Sequence, residues 1–325
     1  MLALAAPDKF RGTLTAGDAA RAIAEGARRG GWRSRELPLA DGGEGTLEVL
    51  GGPNRVTRVS GPLGSPVEAA WLLEDGVAVI EAARASGLAL VGGAIANDPV
   101  AASTRGTGEL IAAALDAGAQ AVVVGVGGSA TTDGGLGAIE ALGRKRLQIP
   151  VQLACDVRTG FLDAAVVFGP QKGASPDEVA LLSERLGKLG RCYRDEFGVD
   201  VTALPGSGAA GGLAGGLAAL GAELVAGFEL IASRLGLEEA LESVDLVVTG
   251  EGKLDATSFD GKVVGGVLAA CARRGIPALV VAGEIEAGTA CPATAVSLVE
   301  RFGHERAFAE PAGCIAEAVA SYLAS

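Results

Sequence analysis

The stretch DLVVTGEG, residues 245–252, places a short apolar run directly before a loop of glycine and glutamate. A short apolar run that is bounded by turn residues indicates a buried β-strand. The same arrangement recurs in LALAAPD (2–8), AVVVGVGG (121–128) and PALVVAGE (277–284), and AVSLV (295–299) is a further apolar run. Because helical patterns separate these runs, the sequence predicts alternating strands and helices of the parallel α/β class.

Helices are predicted at residues 15–30, 133–142, 262–274 and about 312–324. The pattern changes in the middle of the chain, where residues 53–80 indicate short strands with Gly-Pro turns and residues 176–197 indicate one long polar helix. We therefore predict two α/β domains, one formed by residues 1–51 plus 240–325 and one inserted between them, residues 52–239. Ligands of parallel sheets bind at the carboxyl ends of strands, where the glycine-rich and acidic loops lie.

The composition excludes several classes of partner. With 49% hydrophobic residues and a formal net charge of -12, the chain has a large core but no basic surface for nucleic acid or an anionic membrane. Five scattered cysteines and a single histidine argue against a zinc site and predict reduced thiols. The start MLALAAPDKF lacks the features of a signal peptide, so we expect a cytoplasmic protein.

Two glycine motifs are weak evidence for a nucleotide. GVGGSA (125–130) and GSGAAG (206–211) fit G-x-G-x-x-[GA], but a chain with 51 glycines contains such matches by chance. About twenty residues after Gly125, where a dinucleotide site needs an acid for the ribose, stand Lys145 and Arg146. No Walker sequence is present either. A nucleotide would therefore bind without either fingerprint.

Lysine is used sparingly, and its positions are informative. Arginine supplies most of the 27 basic residues, yet four of the six lysines lie in turn-rich segments: Lys9, Lys172, Lys253 and Lys262. A lysine in a loop is a compact charge that suits phosphate. The alternative is that exposed loops simply carry charged residues.

Carboxylates form a second set beside glycines after predicted strands: Asp8, Asp41, Glu44, Asp98, Asp133, Asp156, Glu251 and Asp255. Parallel strands would gather several of them at one sheet edge, and such a cluster beside cations suits magnesium-assisted phosphoryl transfer. Helix N-capping is the alternative and explains Asp133 or Asp8 well. It does not explain Asp41 and Glu44 together in PLADGGEGT (38–46).

The segment NDPVAASTRGTGELI (97–111) leads into a helix through Ser103, Thr104 and Arg105. Hydroxyl groups and an arginine at a helix N-terminus can bind a carboxylate or a phosphate. A capping box with Glu109 remains an equal alternative.

Taken in order, APDKFRGTLTA, PLADGGEGT, ASTRGTGEL, GVGGSATTDGG, ACDV, VFGPQKGAS, PGSGAAGGLAGG and DLVVTGEGKLDATSFDGK resemble the class I glycerate kinase family. The resemblance runs from residue 5 to about residue 283. It implies phosphorylation of D-glycerate to 2-phosphoglycerate with ATP and Mg²⁺. It also implies one flavodoxin-like domain and one restriction-enzyme-like domain, with the active site in the cleft between them.

Within this resemblance we expect catalytic roles for Asp41, Glu44, Asp133, Lys172 and Lys262. Substrate-binding residues are expected to be Asp8, Lys9, Arg11, Ser103 and Arg105, with Arg11 standing where the family usually has lysine. Nucleotide binding is assigned to Gly127, Gly128, Ser129, Gly206, Gly208, Gly211, Glu251 and Lys253. Metal binding is assigned to Asp156 and Asp255.

Several alternatives stay open. The enzyme could be a glycerate 3-kinase or a kinase of another small hydroxy acid, because a small change of substrate pose changes the hydroxyl that reacts. A nicotinamide-dependent hydroxy-acid dehydrogenase and a non-catalytic metabolite sensor are the rivals from other classes. The expected partners are D-glycerate and ATP, with a homodimer as a candidate assembly.

Overall fold

The computed structural model describes residues 1–324. The strands are β1 (Leu2–Ala5), β2 (Arg33–Glu36), β3 (Arg55–Ser60), β4 (Pro66–Glu74), β5 (Val77–Glu81), β6 (Ala121–Gly125), β7 (Val151–Ala154), β8 (Glu223–Val225), β9 (Leu246–Leu254), β10 (Ala278–Ile285) and β11 (Thr294–Ser297). The α-helices are α1 (Ala16–Arg29), α2 (Thr46–Val49), α3 (Ala83–Ser86), α4 (Arg105–Asp116), α5 (Leu136–Ala141), α6 (Ala164–Phe168), α7 (Pro176–Phe197), α8 (Leu213–Ala219), α9 (Gly227–Arg234), α10 (Leu237–Ala240), α11 (Val263–Arg274), α12 (Leu298–Phe302), α13 (His304–Ala309) and α14 (Pro311–Leu323). Short 3₁₀ helices lie at Leu88–Val91, Pro170–Lys172, Val201–Ala203, Ala209–Gly212, Leu241–Ser243 and Ala256–Phe259. Within residues 1–324, no helix has the length and apolarity needed to cross a bilayer.

The chain divides into two compact units. Unit 1 contains residues 1–41, residues 48–50 and the chain from Gly227 onward, and unit 2 contains residues 42–47 and 51–226. The domain limits that we drew from the sequence, 1–51 plus 240–325 and 52–239, stay a prediction. The compact units differ from them chiefly at α9 and α10, where Phe228 and Leu237 pack with Leu4 and Val247 of unit 1.

Unit 1 contains a five-stranded parallel sheet with the order β11-β10-β9-β1-β2. Numbered within the unit, this is the order 5-4-3-1-2, which is that of flavodoxin-like sheets. The winding direction changes between β1 and β9. In sheets of this kind the ligand binds outside the carboxyl ends of the strands at that change of direction.

Helices cover both faces of the unit 1 sheet. Helices α1 and α14 bury Ile23 and Ile315 against one face, while α9, α10 and α11 pack on the other face through residues such as Val267. The inner strands β1, β9 and β10 are therefore covered on both sides, which explains their Val, Leu and Ala runs. Helix α1 begins after Thr15, whose side chain accepts a hydrogen bond from the Asp18 N–H.

Unit 2 contains a six-stranded mixed sheet in the order β3-β4-β5-β6-β7-β8. The pairs β3–β4 and β4–β5 are antiparallel, and the remaining three pairs are parallel. Trp71, Ile80 and Val124 belong to its core, together with Leu110 of α4 and Leu217 of α8. The two sheets confirm the predicted α/β class.

Most predicted elements lie where the patterns placed them. The long polar helix predicted at 176–197 is α7, which begins with a capping box of Ser175 and Glu178 and ends at Gly198 in the left-handed conformation. The run AVSLV was expected to be one strand, but β11 ends at Ser297. The hydroxyl group of Ser297 accepts the Glu300 N–H and so caps α12, which begins at the next residue.

Candidate functional site

Asp8 lies where the unit 1 sheet changes direction. It follows β1, and its backbone N–H donates to the Gly250 carbonyl of β9 at 2.9 Å. Its side chain is buried, with 8% of the residue exposed, and Oδ1 accepts the Lys9 N–H at 2.7 Å. The sequence thus directs one carboxylate into the region where flavodoxin-like sheets bind ligands.

The surroundings of Asp8 favour its neutral form. Burial is the main cause that raises its pKa from 3.8 to about 7, and repulsion from Asp41 and Glu251 adds to it. The Lys9 ammonium group, 3.8 Å from Oδ1, opposes this rise. We call Asp8, Asp41 and Glu251 the carboxylate cluster. A carboxyl group that titrates near neutral pH suits proton transfer.

Glu251 adds a buried acceptor to the carboxylate cluster. Its Oε1 atom is buried and has no hydrogen-bond partner within residues 1–324. Burial raises the pKa of Glu251, and the Ser258 hydroxyl group and the Lys262 charge oppose that rise. A buried carboxylate oxygen without a donor is costly, so a ligand that supplies a donor or a positive charge would stabilise it.

Two further predicted residues lie near Glu251. Asp255 accepts hydrogen bonds from the Thr257 N–H and hydroxyl group at 2.8 and 2.7 Å and so caps the following 3₁₀ turn. Its pKa is lowered, mainly by the Thr257 hydroxyl. The Lys262 ammonium group donates to the Thr257 hydroxyl at 2.8 Å. The structure therefore brings Asp8, Asp41, Glu251, Asp255 and Lys262 into one electrostatic neighbourhood.

The donor set of the carboxylate cluster fits magnesium. In kinases this ion is bound by one or two carboxylates plus substrate phosphates and water rather than by a complete protein cage. In the part of the chain that the structure describes, no three His, Cys, Asp or Glu side chains form a metal site on their own. The unpartnered Glu251 oxygen is a suitable ligand atom for such an incomplete site. Asp156, predicted as a metal ligand, follows β7 in unit 2.

Two predicted cations of unit 1 lie at the surface. Lys253 pairs with Glu286, and both side chains are about half exposed, at 53% and 54%. An exposed pair of this kind is ordinary surface chemistry. Arg11 is also exposed and borders a small groove together with Phe10 and Gly252.

In unit 2, Asp133 is surrounded by donors. Its Oδ2 atom accepts the Thr104 N–H at 2.8 Å, the Thr104 hydroxyl at 2.9 Å, the Gly137 N–H at 3.2 Å and the Ser103 hydroxyl at 3.5 Å. Its Oδ1 atom accepts the Gly135 N–H at 3.1 Å. The carboxylate thus joins the start of α4 to the start of α5. This is the capping alternative, extended to two helices.

Ser103 and Arg105 border an open groove of about 490 Å³ in unit 2, together with Ser60, Pro62 and Asp98. The Arg105 guanidinium group donates to Glu109 at 3.0 Å. Glu109 also accepts the Ser60 N–H at 2.7 Å, and no capping box forms at Thr104. The groove therefore presents a hydroxyl group and a guanidinium group to solvent.

Lys172 is buried in unit 2, with 4% of the residue exposed. Its ammonium group donates to the Ser129 hydroxyl at 2.8 Å and to the Thr131 carbonyl at 2.6 Å. Burial lowers its pKa to about 7, and attraction to Asp133 opposes this shift only in part. We call Lys172, Ser129 and Thr131 the Lys172 site.

The predicted nucleotide glycines have different surroundings. Gly128 is exposed beside Ser129, whereas Gly206, Gly208 and Gly211 are buried. A Cβ atom on Gly211 would lie 2.0 Å from the Thr131 carbonyl oxygen, at a φ of +68°. At this position glycine is needed for close backbone packing.

Glu81 is a candidate site residue that the sequence analysis did not identify. It ends β5 and is buried, with 3% exposed. Its Oε1 atom accepts the Gly45 N–H at 2.9 Å and the Leu47 N–H at 3.0 Å. Its Oε2 atom accepts the Arg84 guanidinium at 2.9 Å. The glycine loop that contains the exposed Glu44 is therefore fixed by a buried carboxylate. The sequence pattern that could have identified Glu81 is an acidic residue that directly ends an apolar run.

We expect Glu81→Ala to destabilise the protein by about 2–4 kcal/mol, because two buried N–H groups lose their acceptor. The loop at Glu44 would also lose its anchor, so the KM for a substrate should rise more than kcat falls. Urea unfolding and initial rates measure the two effects. Glu81→Gln is the matched control, since its amide oxygen can still accept both N–H groups. Equal loss in both variants would contradict the proposed anchoring through Oε1.

The model of the family described as "Glycerate kinase family" matches residues 3–149 and 144–322. A glycerate kinase of Halalkalibacterium halodurans is 40% identical, over 87% of this chain and 85% of the relative. The glycerate 2-kinase of Escherichia coli K12 is 39% identical, over 86% of this chain and 84% of the relative.

A crystal structure from Salmonella typhimurium LT2, provisionally named glycerate kinase 2, superposes with a TM-score of 0.84 at 34% identity. The superposition covers 100% of this chain and 97% of that one. The whole described architecture is thus shared with this protein. The chain belongs to the glycerate kinase family, whose members phosphorylate glycerate.

Proposed function

We propose that the enzyme transfers the γ-phosphoryl group of ATP to the 2-hydroxyl group of D-glycerate, assisted by Mg²⁺. Its similarity to a glycerate 2-kinase supports the choice of hydroxyl. The observation that carries the proposal within the molecule is the carboxylate cluster at the direction change of the unit 1 sheet. A buried carboxyl group with a pKa of about 7 can bind a hydroxyl group and accept its proton.

In this mechanism Asp8 accepts a hydrogen bond from the attacking hydroxyl group. As the new oxygen–phosphorus bond forms, the bond between the γ-phosphorus and the ADP oxygen breaks and the hydroxyl proton passes to Asp8. Lys9 and Arg11 bind the glycerate carboxylate, and Lys262 balances charge on the transferred group. Phosphoryl transfer needs positioning and charge balance more than covalent help from the protein.

Glu251 and Asp41 would hold the magnesium ion through their carboxylate oxygens. When bound, Mg²⁺ supplies positive charge that offsets the charge on the phosphate oxygens. The Asp255 carboxylate caps the following turn and so stays close to Glu251, where it adds negative charge without binding the ion directly.

In unit 2 we retain Ser103 and Arg105 as binding residues for a carboxylate or phosphate, because both border the open groove. Lys172, Ser129, Gly127 and Gly128 are assigned to the nucleotide phosphates. For Asp133 we propose a positioning role, since five donors already occupy its oxygens. We assign Lys253 no role in nucleotide binding beyond its ion pair with Glu286 at the surface.

The test supplies D-glycerate, ATP and Mg²⁺ and couples the product to enolase without phosphoglycerate mutase. We expect phosphoenolpyruvate to form, because enolase uses 2-phosphoglycerate directly. If ADP is released but phosphoenolpyruvate forms only after the mutase is added, the 3-hydroxyl is the acceptor. That result would overturn the 2-kinase assignment. Because enolase itself needs Mg²⁺, the magnesium requirement is tested by measuring ADP directly without coupling enzymes: EDTA should abolish ADP formation, and adding back Mg²⁺ should restore it.

A further inference from the structure

The Lys172 site contains a buried charge-bearing group with no ionic partner. No Asp or Glu side chain within residues 1–324 forms an ion pair with Lys172. Its two hydrogen-bond acceptors, the Ser129 hydroxyl and the Thr131 carbonyl, are both neutral. Burying an unpaired charge is unfavourable, so such a group either loses its proton or is stabilised in its charged form when a counter-ion binds.

The Lys172 site has more donors than acceptors. A protonated lysine has three N–H groups, and only two of them find acceptors in the described chain. Ser129 uses its oxygen to accept from Lys172, and its own O–H has no acceptor within hydrogen-bond distance in residues 1–324. Two donors that lie 2.8 Å apart are thus both available to one incoming oxygen-rich group. Gly128, next to Ser129 in the chain, is exposed.

The other groups around Lys172 do not replace a counter-ion. Asn97 contacts its carbonyl oxygen and Phe168 lies with its ring 6.0 Å from the ammonium, and both side chains are uncharged. Asp133 is the one titratable group in the described chain whose charge acts on Lys172. Its oxygens are occupied by five donors from the residues at the starts of α4 and α5. Asp133 therefore attracts Lys172 from a distance without neutralising it.

We infer that the Lys172 site binds a divalent oxyanion, a phosphate group of the nucleotide, and that Lys172 takes up a proton from solvent as this anion binds. No other bond forms or breaks in this step. The assignment to the nucleotide rests on the proposed function, whereas binding of a divalent oxyanion does not. The consequence is a coupling between pH and ligand affinity that an ordinary exposed lysine would not show.

The first experiment follows the side chains of the six lysines by NMR after labelling lysine with ¹³C at the ε position. Without ligand, one of the six resonances should titrate with a midpoint near 7. Sulfate is the probe, because its charge stays constant between pH 6 and 9. Saturating sulfate should raise the midpoint of that one resonance by about one unit or more. A midpoint that sulfate leaves unchanged would overturn the inference.

Variants assign the resonance and test the coupling. Arg substitutions of the other five lysines identify their signals by elimination, so the assignment does not depend on a Lys172 variant that folds. Above pH 7, sulfate affinity should fall about tenfold per pH unit in the wild type. In Lys172→Arg this slope should vanish, because the guanidinium group stays charged. The same slope in both proteins would also overturn the inference.

The source of the phosphate is decided by competition against sulfate at pH 7. We expect ADP to displace sulfate at a lower concentration than 2-phosphoglycerate does, and the raised midpoint of Lys172 to persist with ADP bound. If 2-phosphoglycerate displaces sulfate and ADP does not, the nucleotide assignment is wrong. The enolase-coupled assay gives its answer independently of these titrations, so failure of the kinase proposal and failure of the oxyanion site are separate outcomes.

Discussion

Replacing Asp8 with asparagine is expected to lower kcat by about 100-fold or more, because the amide cannot accept the proton of the attacking hydroxyl. The substitution keeps an oxygen that can accept the Lys9 N–H, so the loop after β1 should keep its conformation. In the wild type, kcat/KM should fall as the pH drops through the pKa of Asp8, which is about 7. In the variant this acidic limb should disappear together with most of the activity.

The same substitution should stabilise the folded protein at pH 8. The pKa of Asp8 is raised from 3.8 to about 7 by folding, so the folded state binds more protons than the unfolded state between these values. The free energy of unfolding therefore falls as the pH rises through this window, and the whole cost is present above pH 7. Asparagine avoids this cost, which gives an expected gain of about 2–4 kcal/mol at pH 8 and little gain at pH 4.

Urea unfolding in EDTA at pH 4 and pH 8 measures the stability, and the enolase-coupled assay measures kcat. Asp18→Asn is the matched control, since Asp18 is an exposed carboxylate of unit 1 whose pKa is lowered mainly by the Thr15 hydroxyl. That control should keep its turnover and show the opposite pH dependence of stability. Asp8→Asn with wild-type turnover, or with lower stability at pH 8 than the wild type, would contradict the assignment of Asp8.

Most strands of unit 1 could be predicted from the sequence because their signals are local, whereas the polar strand β2 was not predicted. Parallel strands covered on both faces appear as apolar runs, and β1, β9 and β10 lie at such runs. Helix α7 was predicted to the residue because its cap and its glycine stop are both encoded nearby. The sequence did not show that α9 and α10 belong to unit 1. Their place depends on contacts with β1, which precedes unit 2 in the chain, and with β9, which follows unit 2.

The candidate site could be predicted only in part, because it also depends on contacts between residues that are distant in the sequence. The residue types of the carboxylate cluster were predicted, because loops after parallel strands gather at one edge. Burial decides the chemistry of Asp8 and Lys172, however, and burial depends on distant residues. Lys172 lies in a turn and was expected to reach outward, yet its ammonium group bonds to residues more than forty positions away. Lys253, from an equally promising motif, pairs on the surface with Glu286.

Asp133 shows most clearly how far a role can be predicted from sequence alone. It is also the subject of the second prediction with a large expected effect. Its residue type and glycine neighbours suggested chemistry, but Thr104, about thirty positions earlier, supplies two of its five donors. We expect Asp133→Asn to lower the free energy of unfolding by about 2–4 kcal/mol. The amide can place its oxygen toward the four donors at Oδ2, but its NH₂ group then faces the Gly135 N–H.

Urea unfolding of Asp133→Asn measures this loss, with kcat determined at a temperature where the variant is fully folded. Asp98→Asn is the control, because Asp98 is an exposed carboxylate of unit 2 that also accepts backbone N–H groups. It should lose less than about 1 kcal/mol, since water replaces the missing acceptor. If Asp133 positions the two helices, the folded variant keeps most of its kcat. If kcat falls about 1,000-fold while stability is unchanged, Asp133 acts on the reacting groups, and the positioning role is wrong.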